Sequence, residues 1–504
     1  MAPIGSMSEM SQETLSQIIE ATRNSMGQSV YTNPALAKAN TTAGITQATG
    51  LVWYDLQTPA KNLFPVITPL VNMIPRRSGN GGTATNWRAV TGINVLSLQG
   101  FVPEGVRDGY SSTTENDYSA SYKTMGAENY VTFEAVNAAV NFENIRSTTA
   151  QRLLWDAMIR QEQAFIGGNY SIALGTVGTV TAAAATGGSV ANGTYNVICV
   201  ALSQSGLSAA SLSGGIPTLV TVTPADGSAN FTFGGGSSMK SAATAVTTTT
   251  GNNTITASVT PVAGAFGYAW FVGTAGNEVI TAITTVSSAS ISSLAGAGTQ
   301  NASAVTTDRS TNAYAYDGLL AQALKSGSNA YTKALSAKLT TDSAGGITEI
   351  NTMLKDRWDN YRLSFDHLFV NSQEMDTIRQ LVIKNNGAPL IRFAGDMNQP
   401  AMGLIGGAVV GQYVNPFTMG GGQLIKIHLH PNVPAGCVLG VTETLPYPVN
   451  NVPNIFEYIY RQDWYQLEWP MRTRRYETGV YTDGVLAHYF PPSMGVIYNI
   501  TAGI

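Results

Sequence analysis

The feature that most constrains this chain is a break in charge. Between Ser171 and Thr306, 136 consecutive residues hold three charged side chains, Asp226, Lys240 and Glu278, while the other 368 residues carry 55. A stretch so poor in charge, and so rich in Gly, Ala, Ser and Thr, is either a low-complexity linker or an all-β module with an uncharged surface. Strand signals decide for the module. Gly193–Leu202 (GTYNVICVAL) alternates, with Tyr195, Val197 and Cys199 on one face. Pro217–Thr223, Asn230–Phe233, Asn253–Val259, Phe266–Val272 and Glu278–Val286 follow between Gly, Asn and Pro clusters. A linker has no reason to keep placing β-branched and aromatic residues at period two. The spacing predicts a β-sandwich over 171–306, inserted into a chain of different character.

Within it, Pro261–Val272 (PVAGAFGYAWFV), with Gly193–Leu202 upstream, resembles fibronectin type III and bacterial immunoglobulin-like modules, in which a Pro-x-x-Gly-Ala-x-x-Tyr run enters a central strand. The two termini of such an insert must return to one place, so it is expected to project outward and to be removable.

The flanks read as one α+β unit. Residues 8–26 predict a short amphipathic helix. Residues 83–132 predict two strands, Thr83–Leu96 and Tyr118–Thr132, around the polar stretch GFVPEGVRDGYSSTTEND. A hairpin loop that long belongs to a functional arm or a disordered segment. Residues 143–166 are the best helix: Ile145, Thr149, Leu153, Trp155 or Asp156, Ile159 and Phe165 follow the helical period, and Arg152, Asp156 and Arg160 stack at i, i+4. Its 24 residues span about 36 Å, and Gly167–Gly168 stops it. Helices near Tyr316–Leu324, Gly346–Asn360 and Ser372–Lys384, strands Leu368–Val370 and Gln423–His430, and a closing strand in VLAHYFPPSMGVIYNI complete the reading.

Composition narrows the function. Hydrophobic residues at 44% supply a core, and a net charge of −4 lacks the basic excess of a nucleic-acid gripper. Cys199 and Cys437 cannot build a disulfide scaffold. The opening MAPIGSMSEMSQETLSQ has no basic and apolar leader pattern, and the longest apolar run, Ala401–Gly411, is too short to span a bilayer. These features predict a soluble intracellular product.

No catalytic residue, metal ligand set or cofactor can be nominated. His428 and His430 share the face of Lys426 in LIKIHLH, opposite Ile425, Ile427 and Leu429, and read as polar residues on a wet strand face, without a Cys or acid nearby to complete a metal site. His367 and His488 read as structural. Cys199 reads as core, and Cys437 has no histidine near it in sequence to activate it. Nucleophile-elbow, phosphate-loop and dinucleotide glycine spacings are absent, and Gly403–Gly411 has glycines without the spacing. Arg472, Arg474 and Arg475, after Trp464, Tyr465 and Trp469, form a basic cluster readable either as a small nucleic-acid patch or as a strand whose arginines pair with Glu468, Glu477 or a neighbouring subunit.

Taken in order, arm, long hairpin, long helix, interruption, small helical and sheet domain, and returning strands resemble the major capsid proteins of tailed bacteriophages with the Hong Kong 97-type fold. The likeness covers 1–170 and 310–504. YDGLLAQAL (Tyr316–Leu324) resembles the family's Asp-Gly-Leu segment after its spine helix. DHLFVNSQEMDTIRQL (Asp366–Leu381) resembles its axial-domain strand and helix. GGQLIKIHLHPNVPAGCVLG (Gly421–Gly440) resembles its strand–Pro-x-Gly–strand hairpin, and the closing segment its last peripheral strand. The resemblance implies an N-terminal arm at 1–82, an extended loop at 83–132, a peripheral domain with the spine helix at 133–170, the insert at 171–306, a return to the peripheral domain at 307–345, an axial domain at 346–465 and closing peripheral strands at 466–504. It further implies a non-enzymatic shell of hexamers and pentamers around double-stranded DNA, in the virion and, during assembly, in the bacterial cytoplasm.

Separate scaffolding and portal proteins, and decoration proteins, would be its partners. The DNA would be touched weakly through Arg472, Arg474 and Arg475, and a host surface or glycan through the insert; no membrane is involved. Expected inter-subunit contacts are Arg88, Glu104, Arg107, Asp108, Glu115, Asp117 and Lys123 on the extended loop, and Arg152, Asp156 and Arg160 on the spine helix. Some members crosslink an extended-loop lysine to a neighbour's asparagine; Lys123, the one lysine of the hairpin, sits away from the tip, so crosslinking is not expected. A cellular encapsulin-type shell is the nearest rival reading, and a surface or adhesive β-sandwich protein the next.

Overall fold

The protein is described by a computed structural model that defines residues 63–93, 101–107, 110, 112–140, 143–343, 345–385, 392–394, 403–405, 411–420 and 422–503. The helix expected over 8–26, most of the 1–82 arm, Asp108 and most of the Gly403–Gly411 run lie outside the described residues.

The long helix runs Ile145–Gly167. Leu153, Ala157, Gln161 and Phe165 recur at i, i+4 and are buried, so one stripe of an otherwise polar helix is pressed inward. It ends where expected, for a packing reason. A Cβ on Gly168 would lie 2.4 Å from the Tyr316 carbonyl oxygen, so only glycine lets the returning segment approach. The helix lies against a four-stranded sheet ordered Arg76–Ser78, Phe456–Glu468, Arg475–His488, Lys123–Thr132. Phe165 meets Tyr458 of that sheet edge-on at 5.6 Å.

A six-stranded mixed sheet is ordered Tyr331–Ala334, Met494–Tyr498, Val438–Val441, His367–Val370, Gln423–Leu429, Gln412–Asn415. Helices Thr348–Tyr361 and Ser372–Asn385 pack Ile350, Met353, Leu354 and Ile378 with Leu368, Val370, Ile425 and Ile497. Phe369, Leu439, Val496 and Tyr498, from the alternate positions, join Phe165, Ile166, Leu319 and Leu320 in the main core. Strand period two thus splits one sheet between two cores.

The sheets correct the sequence reading in two places. The strand expected over Tyr118–Thr132 is two strands. Thr113–Ser121 pairs with Ala84–Ile93 as the hairpin, and Lys123–Thr132 pairs instead with Arg475–His488. Buried Tyr122 separates them. Nor does sheet membership follow the expected 346–465 and 466–504 segments. Phe456–Glu468 belongs to the sheet of the long helix, while Tyr331–Ala334 and the closing strand Met494–Tyr498 belong to the six-stranded sheet. Strand partners far apart in sequence leave no local signal of which sheet they join.

The 171–306 region forms two antiparallel sheets, Ser288–Ile291, Thr254–Ser258, Thr181–Ala185 and Val279–Thr284, Gly267–Gly273, Gly193–Leu202, Thr244–Thr248, with a hairpin Leu219–Val222/Phe231–Gly234. Val197, Cys199, Tyr268 and Trp270 of one sheet bury against Ile255, Ala257 and Ile291 of the other. The alternation in Gly193–Leu202 singles out the face of Tyr195, Val197 and Cys199, and the structure buries Ile198, Val200 and Leu202 on the other face as well, beneath Ile216, Ala302 and Val305. Strands Thr181–Ala185, Thr244–Thr248 and Ser288–Ile291 escape the sequence reading because Ala, Ser and Thr carry little alternating signal.

Candidate assembly surfaces

Among the described residues, the hairpin Ala84–Ile93/Thr113–Ser121 buries little of either face. At its base Trp87 packs on Tyr118 (6.0 Å) and edge-on to Tyr489 (5.3 Å). Beyond that, Val90, Ile93 and Tyr118 are exposed, as are Phe101 and Tyr110 in the intervening segment, the last two almost fully. A two-stranded ribbon is marginal in water on its own, and apolar side chains left in the open mark a surface meant to be covered. Cross-strand register places Arg88 opposite Asp117. Its guanidinium donates to Asp117 at 2.8 Å and lies 3.5 Å from Glu115, and this contact holds the Asp117 carboxyl below the usual range.

Arg88, Glu115 and Asp117 are therefore one cluster. Glu104 and Arg107 lie exposed in the loop beyond it. Lys123 is elsewhere, on the four-stranded sheet, with Nζ donating to the Ala313 carbonyl (2.7 Å) and over the Tyr170 ring. On the long helix Arg160 donates to Asp156 at 2.9 Å, with Arg152 exposed two turns before Arg160. In the basic cluster Arg475 pairs with Glu477 and lies over Tyr130, Arg474 pairs with Glu134, and Arg472 lies in the field of Asp226 from the 171–306 region. Hydrogen bonds donated by Ser228 are the main reason the Asp226 carboxyl is lowered, with Arg472 adding to them.

Buried polar contacts, invisible in the sequence, tie these parts together. Glu162, on the buried stripe of the long helix, accepts from the backbone N–H of Leu70 (2.8 Å) and Val71 (2.7 Å), at the start of the short helix Pro69–Met73. It also accepts from His430 Nε2 at 2.6 Å. His430 Nδ1 accepts from Asn432 N–H, which fixes the hydrogen on Nε2. The wet position expected for His430 is therefore wrong: it is 1% exposed, because the chain turns under the long helix one residue past the strand. His367 and His488 are buried; neither His488 nitrogen has a partner, and burial pushes it down to about 3. Cys199 and Cys437 are free and buried, and burial pushes both thiols up. Among the described residues no group of three or more His, Cys, Asp or Glu is placed to hold a metal ion, and no helix is long and apolar enough to cross a membrane.

The 171–306 region is docked rather than tethered. Gln204 Nε2 donates to the Asn432 carbonyl (2.8 Å), and a Cβ on Gly167 would strike the same glutamine side chain. Phe266 is part of the main core and lies 6.2 Å from Tyr498. Asn499, in the left-handed region at φ 60°, accepts from Ser287 N–H (2.6 Å) and donates to Ser287 Oγ (3.1 Å) and Ser336 Oγ (2.7 Å).

No family model and no curated protein matches the chain. Among solved structures it is similar to the capsid of a native GTA particle, at TM-score 0.44 and 8% identity, covering 92% of this chain and 100% of that one. It is also similar to a Cyanophage A-1(L) capsid chain (0.41, 10% identity, 90% and 99% covered) and to a chain of Mycobacterium phage Bobi (0.37, 12% identity, 90% and 99% covered).

Proposed function

We propose that this chain is a structural shell protein, the major capsid protein of a tailed double-stranded DNA bacteriophage with the Hong Kong 97-type fold, which assembles with copies of itself into hexamers, pentamers and a closed icosahedral shell. The observation that carries the reading is the hairpin Ala84–Ile93/Thr113–Ser121, a ribbon with apolar and paired charged side chains left exposed among the described residues. Such an arm gains stability by lying on another copy, with Arg88, Glu104, Arg107, Glu115 and Asp117 fixing register. Arg152, Asp156 and Arg160, and the cluster Arg472, Arg474 and Arg475, serve the same role at other boundaries. The acids already beside Arg474 and Arg475 favour subunit contacts over a grip on DNA.

The insert is read as an immunoglobulin-type sandwich on the outer surface. Support comes from strands 193–202 and 267–273, distant in sequence and side by side in one sheet, as strands C and F are in that architecture. Its last strand, 288–291, pairs on the edge of 254–258, which is a departure from the family pattern. Scaffolding and portal proteins, packaged DNA and a host-surface ligand of the insert belong to the same proposal.

Negative-stain microscopy of the chain expressed alone and with its neighbouring genes tests the reading. Shells, or rings of five and six subunits, are expected; a monodisperse monomer under both conditions would overturn it. Shells that load a cellular enzyme rather than DNA would move the assignment to the encapsulin type.

A further inference from the structure

His367, His428 and His430, three of the four histidines, surround one ring, Phe369. His430 is committed to Glu162. The other two bond to each other: His367 Nδ1 lies 2.8 Å from His428 Nε2, and His367 Nε2 lies 3.0 Å from Glu443 Oε1. The Glu443 carboxylate accepts, so His367 Nε2 carries a hydrogen. One hydrogen then fits between the two facing nitrogens. It comes from His428 when His367 is neutral, and from His367 when His367 is the imidazolium beside Glu443. The pair accommodates one positive charge, and a second proton would set N–H against N–H across 2.8 Å.

Among the described residues, the nearby acids are already engaged. Glu443 is taken by His367. Asp366 accepts from Gln423 Nε2 (3.1 Å) and Glu443 N–H (2.9 Å). Glu162 is bonded to His430 and two backbone amides. Lys426, on the same strand face two residues before His428, adds a further positive charge. His428 is only half-buried, so protons reach it and its ring has somewhere to go.

We infer that His367–His428 is an acid-opened latch near the edge of the six-stranded sheet. With one shared hydrogen the side chains clamp Gln423–Leu429 to His367–Val370, and a second proton expels His428 and loosens its strand with the edge strand Gln412–Asn415. The sign follows from the environment. Burial first, then His367 and Lys426, hold His428 below its ordinary value of 6.5. The clamp is therefore complete above that value, and its contribution is lost as pH falls below it.

Hydrogen exchange of the full chain at about pH 7.5 and about pH 5, corrected for intrinsic exchange, tests this. The background should carry His488→Leu, so that protonation of this buried, unpartnered imidazole does not unfold the chain. Amides of 423–429 are expected to exchange about tenfold faster in acid, the factor for one uncompensated pH unit. With His428→Gln, which keeps a donor for His367 but takes no proton, they should not. Equal acceleration with and without His428→Gln, or none in either, would overturn the latch. If His428→Gln fails to fold, imidazole titration by NMR decides: two protons taken up independently near the ordinary histidine value overturn the inference, and one proton followed by a second at clearly lower pH supports it.

Discussion

Replacing Asn499 by alanine tests whether the insert and the body are one mechanical unit. Asn499 is 4% exposed, sits at φ 60°, and makes three hydrogen bonds through its amide, two of them to Ser287 of the insert. Alanine strands the Ser287 N–H, which is buried, at about 1–3 kcal/mol. It must also hold a left-handed backbone that asparagine tolerates better, at about 1 kcal/mol more. The sum, roughly 2–4 kcal/mol, is a large share of the 5–15 kcal/mol that holds a typical domain. Asn499→Gly strands the same N–H but accepts the backbone, so it should lie about 1 kcal/mol above Asn499→Ala. Hydrogen exchange is the assay, because it reads each part separately. A loss of about 3 kcal/mol speeds globally protected amides by about 150-fold, and that should appear both in the insert around Trp270 and in the body around Val496. Acceleration in one part only, or a change below about 0.5 kcal/mol, would refute the claim that the junction couples them.

Glu162→Ala removes the acceptor of two backbone amides and His430, and should cost about 3–5 kcal/mol; limited proteolysis should then cut near Ile74, and a segment that stays protected would argue that Glu162 does not hold the Pro69–Met73 helix in place. His488 is buried without a partner and held near 3 against 6.5 unfolded. Stability tied to it is complete above about pH 6.5 and falls as pH drops towards 3, by on the order of 5 kcal/mol in total; His488→Leu should flatten that acid limb of a pH–melting profile. Gly168→Ala drives a Cβ into the Tyr316 carbonyl and should lower the melting temperature measurably, whereas Gly175→Ala, in open space at φ 67°, should cost about 1 kcal/mol by strain alone. Arg88→Ala, on an exposed pair, should leave the melting of the unassembled chain unchanged and slow or abolish shell formation by light scattering; normal assembly would remove Arg88 from the interface.

Local physics carried the sequence reading a long way. The 3.6-residue stripe and terminal glycines place the long helix within a residue or two of Ile145–Gly167. Period-two alternation finds the aromatic and β-branched strands of the insert and misses those built from Ala, Ser and Thr. The pairing of Arg88 with Asp117 was out of reach, because the sequence reading leaves Asp117 in the loop and the strand that carries it, Thr113–Ser121, is set by its partner.

What the sequence determined by itself is what neighbours along the chain decide: a charge-poor β region over 171–306 and a long amphipathic helix. What only the tertiary structure decided is everything that depends on partners hundreds of residues apart. Lys123–Thr132 leaves the hairpin for Arg475–His488. The closing strand enters the six-stranded sheet. Glu162 meets His430, His367 meets His428, and Asn499 meets Ser287. Hydrogen bonds and burial are settled by contact in space, and a polar residue written on a strand looks the same in sequence whether water or a carboxylate waits for it.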